Sequence, residues 1–280
     1  GARVVLLEPG EMGGDCLNHG CVPSKALIAA GERAHGMTGA AAFGVGPNAP
    51  QVDYAAAQDH VAETIARIAP MDSPERFEGF GVTVIREAGR FISAREVQAG
   101  AHVIRARRIV VAIGSSPFVP LIPGLSEVPY LTNETLWDLR ERPEHLLIVG
   151  GGPIGLEMAQ AHRRLGSRVT VIEAERALGR EDPEMAAIVL EDLRTEGVEI
   201  HEDTPARAVR GTAGAIEIET ADGRCHRGTH LLVAVGRRAN TDGLGLEAGG
   251  IAATGQGITV DAGLRTSNRR VYAIGDVAGG

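Results

Sequence analysis

Two cysteines stand close together near the start of the chain, in Cys16-Leu-Asn-His-Gly-Cys21. Thiols at this spacing have three chemistries open to them. They can hold a metal, since paired zinc ligands commonly lie about two to four residues apart, but a closed site needs two ligands more. His19 lies between them and Cys225 is remote. They can be inert thiols, or they can form a disulfide, which needs Cα atoms within about 7 Å. A regular helix holds residues five apart at roughly 8–9 Å, so a disulfide requires Cys16 to lie off the helix that carries Cys21. Asn18 and Gly20 supply irregular backbone, and Pro23 is tolerated in a first helical turn. The pattern predicts a loop over 10–20, a helix from Pro23 to about Ala34, and Cys21 at its N-terminal edge. A thiolate is stabilised there, and Lys25, one turn on, adds positive charge. Spacing alone leaves metal, inert thiols and disulfide open.

A second chemistry, anion binding, is written in Gly150-Gly-Gly152-Pro-Ile-Gly155. This glycine pattern is weak alone, but here it follows an apolar strand and opens a helix. Gly150 permits the tight turn, Gly152 lets backbone approach a pyrophosphate, and Gly155 lets helix and strand pack closely. Free N–H groups and the helix dipole favour the anion. Glu173 ends the next strand roughly 20 residues on, where an acid meets a ribose 2′-OH. A carboxylate there repels a 2′-phosphate, which favours NAD over NADP, although Arg176 and Arg180 lie nearby. Glu157, just inside the helix, complements its N-terminal dipole.

The elements that carry these residues are legible as periodicity. Strands are predicted at Val4–Glu8, Val82–Ile85, Arg90–Ile92 and His102–Arg105, the last three as an antiparallel group, with a buried strand at Arg108–Ile113. A helix near Tyr54–Ile68 places Ala57, Val61, Ile65 and Ile68 on one face. Pro117, Pro120 and Pro123 mark a crossover linker. From Leu146 the order is strand, helix, strand, helix, strand, through Pro153–Leu165, Arg168–Glu173, Pro183–Glu196 and Val198–His201. That is a βαβαβ pattern and implies a parallel sheet with right-handed crossovers. Three polar-edged strands reach about Arg224, and Leu231–Val235 closes the unit at Gly236. The fold class is therefore α/β, with two Rossmann-like domains, the second inserted in the first. The expected division is 1–120, 121–241 and a return segment 242–280.

The bulk numbers bound the function. The chain has 280 residues, 44% hydrophobic and 23% charged, with a net charge of −8. That acidic balance argues against a nucleic-acid partner, which needs clustered Lys and Arg. The basic run Arg105, Arg107 and Arg108 reads as a solvated strand edge. No apolar run reaches the ~18–20 residues of a membrane span. Three cysteines make no extracellular disulfide framework, and no signal-peptide pattern is present, so a cytoplasmic setting is expected. A chain that opens on one core strand and closes on another, Val271–Asp276, is expected to be part of a longer protein.

Gly13-Gly-Asp-Cys16-Leu-Asn-His-Gly-Cys21-Val-Pro-Ser-Lys25 resembles the active-site signature of the class I flavoprotein disulfide reductases, the family of dihydrolipoyl dehydrogenase, glutathione reductase and mercuric reductase. Three more segments are similar to that family's motifs: Ala112-Ile-Gly114-Ser-Ser-Pro117, Ala234-Val-Gly236-Arg-Arg-Ala-Asn240 and Ala273-Ile-Gly275-Asp276. The resemblance implies FAD and NAD as cofactors. It makes Cys16 and Cys21 a redox disulfide, with Cys21 the charge-transfer thiol at the flavin and Cys16 the interchange thiol for substrate. Lys25 would lie by the reactive flavin nitrogen and pair with Glu157 beside the nicotinamide. Glu8 would bind the adenosine ribose of FAD, Gly13 and Gly14 would pass close to the cofactor, Ala112, Ile113 and Gly114 would line the flavin domain, and Asp276 would bind the ribityl chain.

The implied partner is a small-molecule or protein-bound dithiol or disulfide, with a dihydrolipoyl dehydrogenase-like substrate first and mercuric or glutathione reductase-like substrates as alternatives. A redox-sensing nucleotide-binding module is the reading from another class. The chain departs from the pattern in several places. The family's first FAD-binding glycine motif and its C-terminal dimerisation domain are expected outside these residues, so the homodimer belongs to the full-length protein. These residues alone are expected to bind FAD poorly. Asp15 replaces the usual Thr and Ala239 the usual Pro.

Overall fold

The structure is a computed structural model that describes residues 2–279. Its longer helices are α1 (Gly14–Asn18), α2 (Cys21–Thr38), α3 (Tyr54–Ile68), α4 (Pro74–Gly79), α5 (Pro153–Arg164) and α6 (Pro183–Thr195). The chain packs as two compact units. The first comprises Gly1–Asp15, Ile68–Ser116 and Arg237–Gly280; the second comprises Cys16–Arg67 and Pro117–Gly236.

The second unit is built on a four-stranded parallel sheet in the order Glu199–His201, Arg168–Ile172, His145–Val149, His230–Val233. Three of its strands are largely apolar on both faces because both are covered, while the edge strand Glu199–His201 is polar. With side chains alternating, Leu146, Ile148, Val169 and Val171 pack with Leu27, Val61, Leu156 and Leu193 from the helices. Leu147, Val149 and Ile172 face the other way, onto Val209, Ile216 and Ile218. Those last residues belong to an antiparallel sheet of Ala206–Thr212, Ala215–Thr220 and Cys225–Gly228. Helix α2 lies close to α5: a Cβ on Gly31 would come 3.1 Å from the carbonyl oxygen of Ala161.

The first unit holds two parallel pairs, Val4–Leu7 with Val82–Ile85 and Ile109–Val111 with Val271–Ala273. It also holds an antiparallel meander of Gly89–Ser93, Glu96–Ala99 and His102–Arg105. Its core gathers Phe91, Val97, Val111, Ile258, Val271 and Val277.

Several expectations need correction. Residues 14–18 are helical rather than loop, and α2 begins at Cys21 and runs to Thr38, past Ala34. The bond from Ser24 N–H to Gly20 O (3.1 Å) closes its first turn ahead of Pro23, whose missing N–H needs no partner there. Val82–Ile85 pairs parallel to the first strand, not antiparallel within the meander, because alternation in a strand carries no direction. The meander instead includes Glu96–Ala99, whose mixed polar pattern hid it. Helix α3 has the expected bounds, but its buried stripe is Tyr54, Gln58 and Val61, while Ile68 is exposed. Segment 108–113 is shorter as a strand and half open, with Val110 56% exposed. By packing alone, residues 16–67 go with the second unit, since α2 and α3 share the core of the parallel sheet.

Candidate active site and nucleotide sites

In the second unit the glycine turn has the shape the sequence requires. Gly150 has φ +115°, and its N–H donates to the carbonyl of Ile172 (2.9 Å). A Cβ on Gly150 would collide with the Ala234 carbonyl, and one on Gly155 with the Gly150 carbonyl. At Gly152, the N-cap of α5, a Cβ would meet nothing within 4 Å. The space before this helix N-terminus is therefore open. Glu173, just beyond the strand Arg168–Ile172, accepts from Gly151 N–H (2.6 Å) and Glu175 N–H (2.9 Å). Its carboxylate is thus pinned against the turn.

One turn into α5, Glu157 meets Lys25. The ammonium donates to both carboxylate oxygens, at 2.7 and 2.8 Å, with the two side chains 40% and 61% exposed. Lys25 lies one turn after Cys21, the first residue of α2; Cys16 sits in α1, and both thiols are exposed. The turn between them is held by its backbone: the His19 carbonyl accepts from Asn133 Nδ2 and Trp137 Nε1, each at 3.3 Å. The structure brings Lys25 and Glu157 into contact and places both cysteines in the same unit.

Beneath this surface lies a polar chain that sequence reading missed. His162 is fully buried, and burial lowers its pKa to about 4. The imidazole is neutral at pH 7 and its Nδ1 is 2.8 Å from the Met158 carbonyl, which can only accept. Nδ1 therefore carries the proton, and Nε2 accepts from the Tyr54 hydroxyl (3.0 Å). That hydroxyl in turn accepts from Gln58 Nε2 (2.9 Å), and burial pushes its own pKa up to about 12. The signal was a Tyr and a Gln four apart on the buried face of α3.

The first unit gathers the other quoted segments. Asp276 follows Gly275 (φ +70°) in a short 3-10 turn and accepts from Ser115 Oγ (2.7 Å). Arg237 donates to Ser115 Oγ and to its carbonyl, both at 2.6 Å, and lies 3.2 Å from Asp15 and 3.8 Å from Asp276. Asn240 donates from its side chain to the Ile113 carbonyl (2.9 Å) and from its backbone to the Gly114 carbonyl (3.1 Å). Ala112–Gly114 and Gly275–Asp276 are thereby tied together through Ser115, Arg237 and Asn240, three residues inside the quoted motifs that had no stated role. Glu8, Gly13 and Gly14 line one cavity of this unit. Gly236 stands at the end of the second unit with φ +127°, its carbonyl accepting from Phe118 N–H (3.0 Å).

A family model described as pyridine nucleotide-disulphide oxidoreductase matches residues 1–280. The chain belongs to the pyridine nucleotide-disulphide oxidoreductase family. Proteins of this family use FAD and NAD(P)H. The chain is 39% identical to a mercuric reductase of Streptomyces lividans over 287 residues, 99% of this chain and 60% of that protein. It is 36% identical to a dihydrolipoyl dehydrogenase of Thermus scotoductus, over 99% of this chain and 61% of that protein. Among solved structures, the HOCl-induced flavoprotein disulfide reductase RclA from Escherichia coli superposes with a TM-score of 0.87 at 28% identity, covering 100% of this chain and 61% of that one. The chain thus spans about 60% of the length of these relatives.

The residues present fit the family's cofactors. The open cradle before α5, with Glu173 at its side, suits the diphosphate and ribose of a nicotinamide dinucleotide. Among the described residues, no group of three His, Cys, Asp or Glu side chains is arranged to hold a metal ion, and no helix is long and apolar enough to cross a membrane.

Proposed function

We propose that this chain carries the nucleotide sites and the dithiol of an FAD-dependent, NAD(P)H-linked oxidoreductase, with Cys16 and Cys21 as its redox disulfide. The observation that carries this reading is the Lys25–Glu157 pair, because it joins the helix that starts at Cys21 to the helix that starts at the dinucleotide turn. When bound, flavin and nicotinamide supply two-electron transfer between the pyridine nucleotide and the disulfide. By the cofactor they serve, 1–120 with 242–280 is read as the FAD segment and 121–241 as the NAD segment, with residues 16–67 packed in the second unit. In the first, Glu8, Gly13, Gly14, Ala112–Gly114 and Asp276 hold FAD; in the second, Gly150, Gly152, Gly155 and Glu173 hold NAD, with Gly236 at the crossover.

The chain's own residues then act as follows. Lys25 is held against Glu157 by two hydrogen bonds, which places its ammonium to stabilise negative charge beside it. Cys21 is the first residue of α2, with its thiol exposed. Cys16 is the thiolate that attacks an acceptor sulfur to form a mixed disulfide. Cys21 then attacks Cys16 sulfur, closing the Cys16–Cys21 disulfide and releasing the acceptor as a dithiol, with two electrons and two protons transferred.

Two neighbouring thiolates also take a thiophilic metal ion, and the similarity to mercuric reductases at 39%, 38% and 37% identity favours Hg(II) as a second acceptor class beside lipoamide-type disulfides. The test is a steady-state assay of the full-length protein with lipoamide, glutathione disulfide and Hg(II), each with NADH and NADPH. A rate with none of them sinks the enzyme reading and leaves a redox sensor. The cysteine roles are tested separately: Cys16→Ser keeps a thiolate–flavin absorption band and Cys21→Ser loses it, and retention in both variants overturns the assignment.

A further inference from the structure

His19 and Gly20 lie between Asn18, which ends α1, and Cys21, which starts α2. The Gly20 carbonyl serves α2 itself, since it accepts from Ser24 N–H (3.1 Å) and closes the first turn. The His19 carbonyl is used differently. It takes two side-chain donors from far along the chain, Asn133 Nδ2 and Trp137 Nε1, each at 3.3 Å. A carbonyl oxygen has two lone pairs, so these two donors saturate it. The His19 ring adds no such tie through Nδ1, which is buried with no hydrogen-bond partner among the described residues. The turn between the two cysteines is therefore fixed through its backbone.

The segment that fixes it is itself anchored. Leu131 N–H donates to the Leu231 carbonyl (2.7 Å), and Val233 N–H donates to the Leu131 carbonyl (2.9 Å), which ties the segment to a strand of the parallel sheet. Two threonines close the next turn: Thr135 Oγ1 accepts from Thr132 N–H (3.0 Å), and Thr132 Oγ1 accepts from Glu134 N–H (3.2 Å). Leu136 is fully buried in the core. Trp137 Nε1 also donates to the Asn133 carbonyl (2.6 Å), so the two donors hold each other in place. A buried amide and the chain's single tryptophan thus converge on one backbone atom between two exposed thiols.

We propose that Asn133 and Trp137 are positioning residues for the dithiol, holding the turn so that Cys16 and Cys21 are pre-ordered for disulfide closure. This rests on the reading of the two cysteines as a redox pair. Closure joins the two sulfurs and passes two electrons and two protons to the oxidant, and it needs Cα atoms within about 7 Å. A held turn has met the ordering cost in advance, whereas a free one loses backbone freedom when the bond forms. Removal of either donor therefore shifts the equilibrium toward the dithiol.

The test equilibrates the full-length holoprotein, without pyridine nucleotide, in buffers of graded dithiothreitol to its cyclic disulfide. Free thiols are then alkylated, and the masses of the peptides carrying Cys16 and Cys21 give the fraction oxidised. Trp137→Phe keeps a ring and removes the N–H; Asn133→Ala removes the other donor. Each is expected to move the ratio at half-oxidation roughly ten-fold toward the dithiol, about 30 mV in midpoint potential. Val209→Ala loosens the core on the other face of the parallel sheet. It should lower the melting temperature and leave that ratio unchanged. Half-oxidation at the wild-type ratio in either donor variant overturns the proposal. An equal shift in Val209→Ala also overturns it, because the effect would then follow stability and not position. If the wild type forms no Cys16–Cys21 disulfide at any ratio, the redox-pair reading falls and this one with it. If the wild type forms the disulfide and the donor variants titrate as it does, only the positioning role falls.

Discussion

At the scale of single residues, the Lys25–Glu157 pair is a contact whose worth lies outside stability. Both side chains are largely open to solvent, and exposed pairs usually contribute about 0–1 kcal/mol. Lys25→Met should therefore shift the melting temperature by only a degree or two while cutting NADH-dependent flavin reduction by roughly a hundred-fold, read by stopped-flow absorbance. A large loss of stability with intact reduction would mean that the pair is a structural strut. Glu173 carries a different burden, because it holds the glycine turn through Gly151 N–H as well as offering a carboxylate to a ribose. Glu173→Ala should lower kcat/KM for NADH by roughly ten-fold, about the strength of a charge-assisted hydrogen bond, and narrow the NADH-over-NADPH preference. Both residues were legible from position alone: one turn after a helix start, or at the tip of the second strand. Arg237 and Ser115 were not, since their meaning comes from meeting Asp276 across a long stretch of sequence.

At the scale of elements, α2, α3 and α5 are fastened by the Tyr54–His162 chain and by the close approach at Gly31. The buried imidazole makes this packing sensitive to acid. His162 has a folded pKa near 4 and an ordinary unfolded value near 6.5, so the unfolded chain binds the extra proton first. Stability is full above about pH 6.5 and is lost progressively as pH falls toward 4, by roughly 3 kcal/mol in all. His145, His226 and His230 are also held below the usual histidine range by burial and act with the same sign. Denaturant midpoints at pH 7.5 and pH 5 should thus differ more in the wild type than in His162→Asn. Equal differences would remove His162 from this role. Tyr54→Phe leaves Gln58 Nε2 and His162 Nε2 without partners and should cost about 1–3 kcal/mol at neutral pH, measured by the same unfolding curves. Apolar periodicity found these helices, but it could not foresee that the inner face of α3 would carry Tyr and Gln instead of aliphatic residues.

At the scale of the whole chain, burial is uneven. Leu146, Leu147 and Ile148 are fully buried, whereas Val4 and Val5 are 47% and 42% exposed and Val110 56%. Hydrogen exchange should therefore be slowest over 145–149 and 230–233 and markedly faster over 4–7 and 109–111, since amide opening follows local packing. Uniform protection would show that both units open as one. The α/β class, the βαβαβ order, the bounds of α3 and the place of Cys21 at a helix start all rest on local rules. Apolar period, glycine and proline punctuation and backbone reach act within a few residues, so the chain's own letters determine them. Which strands pair, and in which direction, depends on partners far along the chain. Only the tertiary structure decided that Val82–Ile85 runs parallel to Val4–Leu7 and that residues 16–67 pack with 117–236, while the meeting of Lys25 with Glu157 was foreseen from family resemblance and not from local rules. Each is a contact between segments tens of residues apart, settled by which surfaces can bury one another.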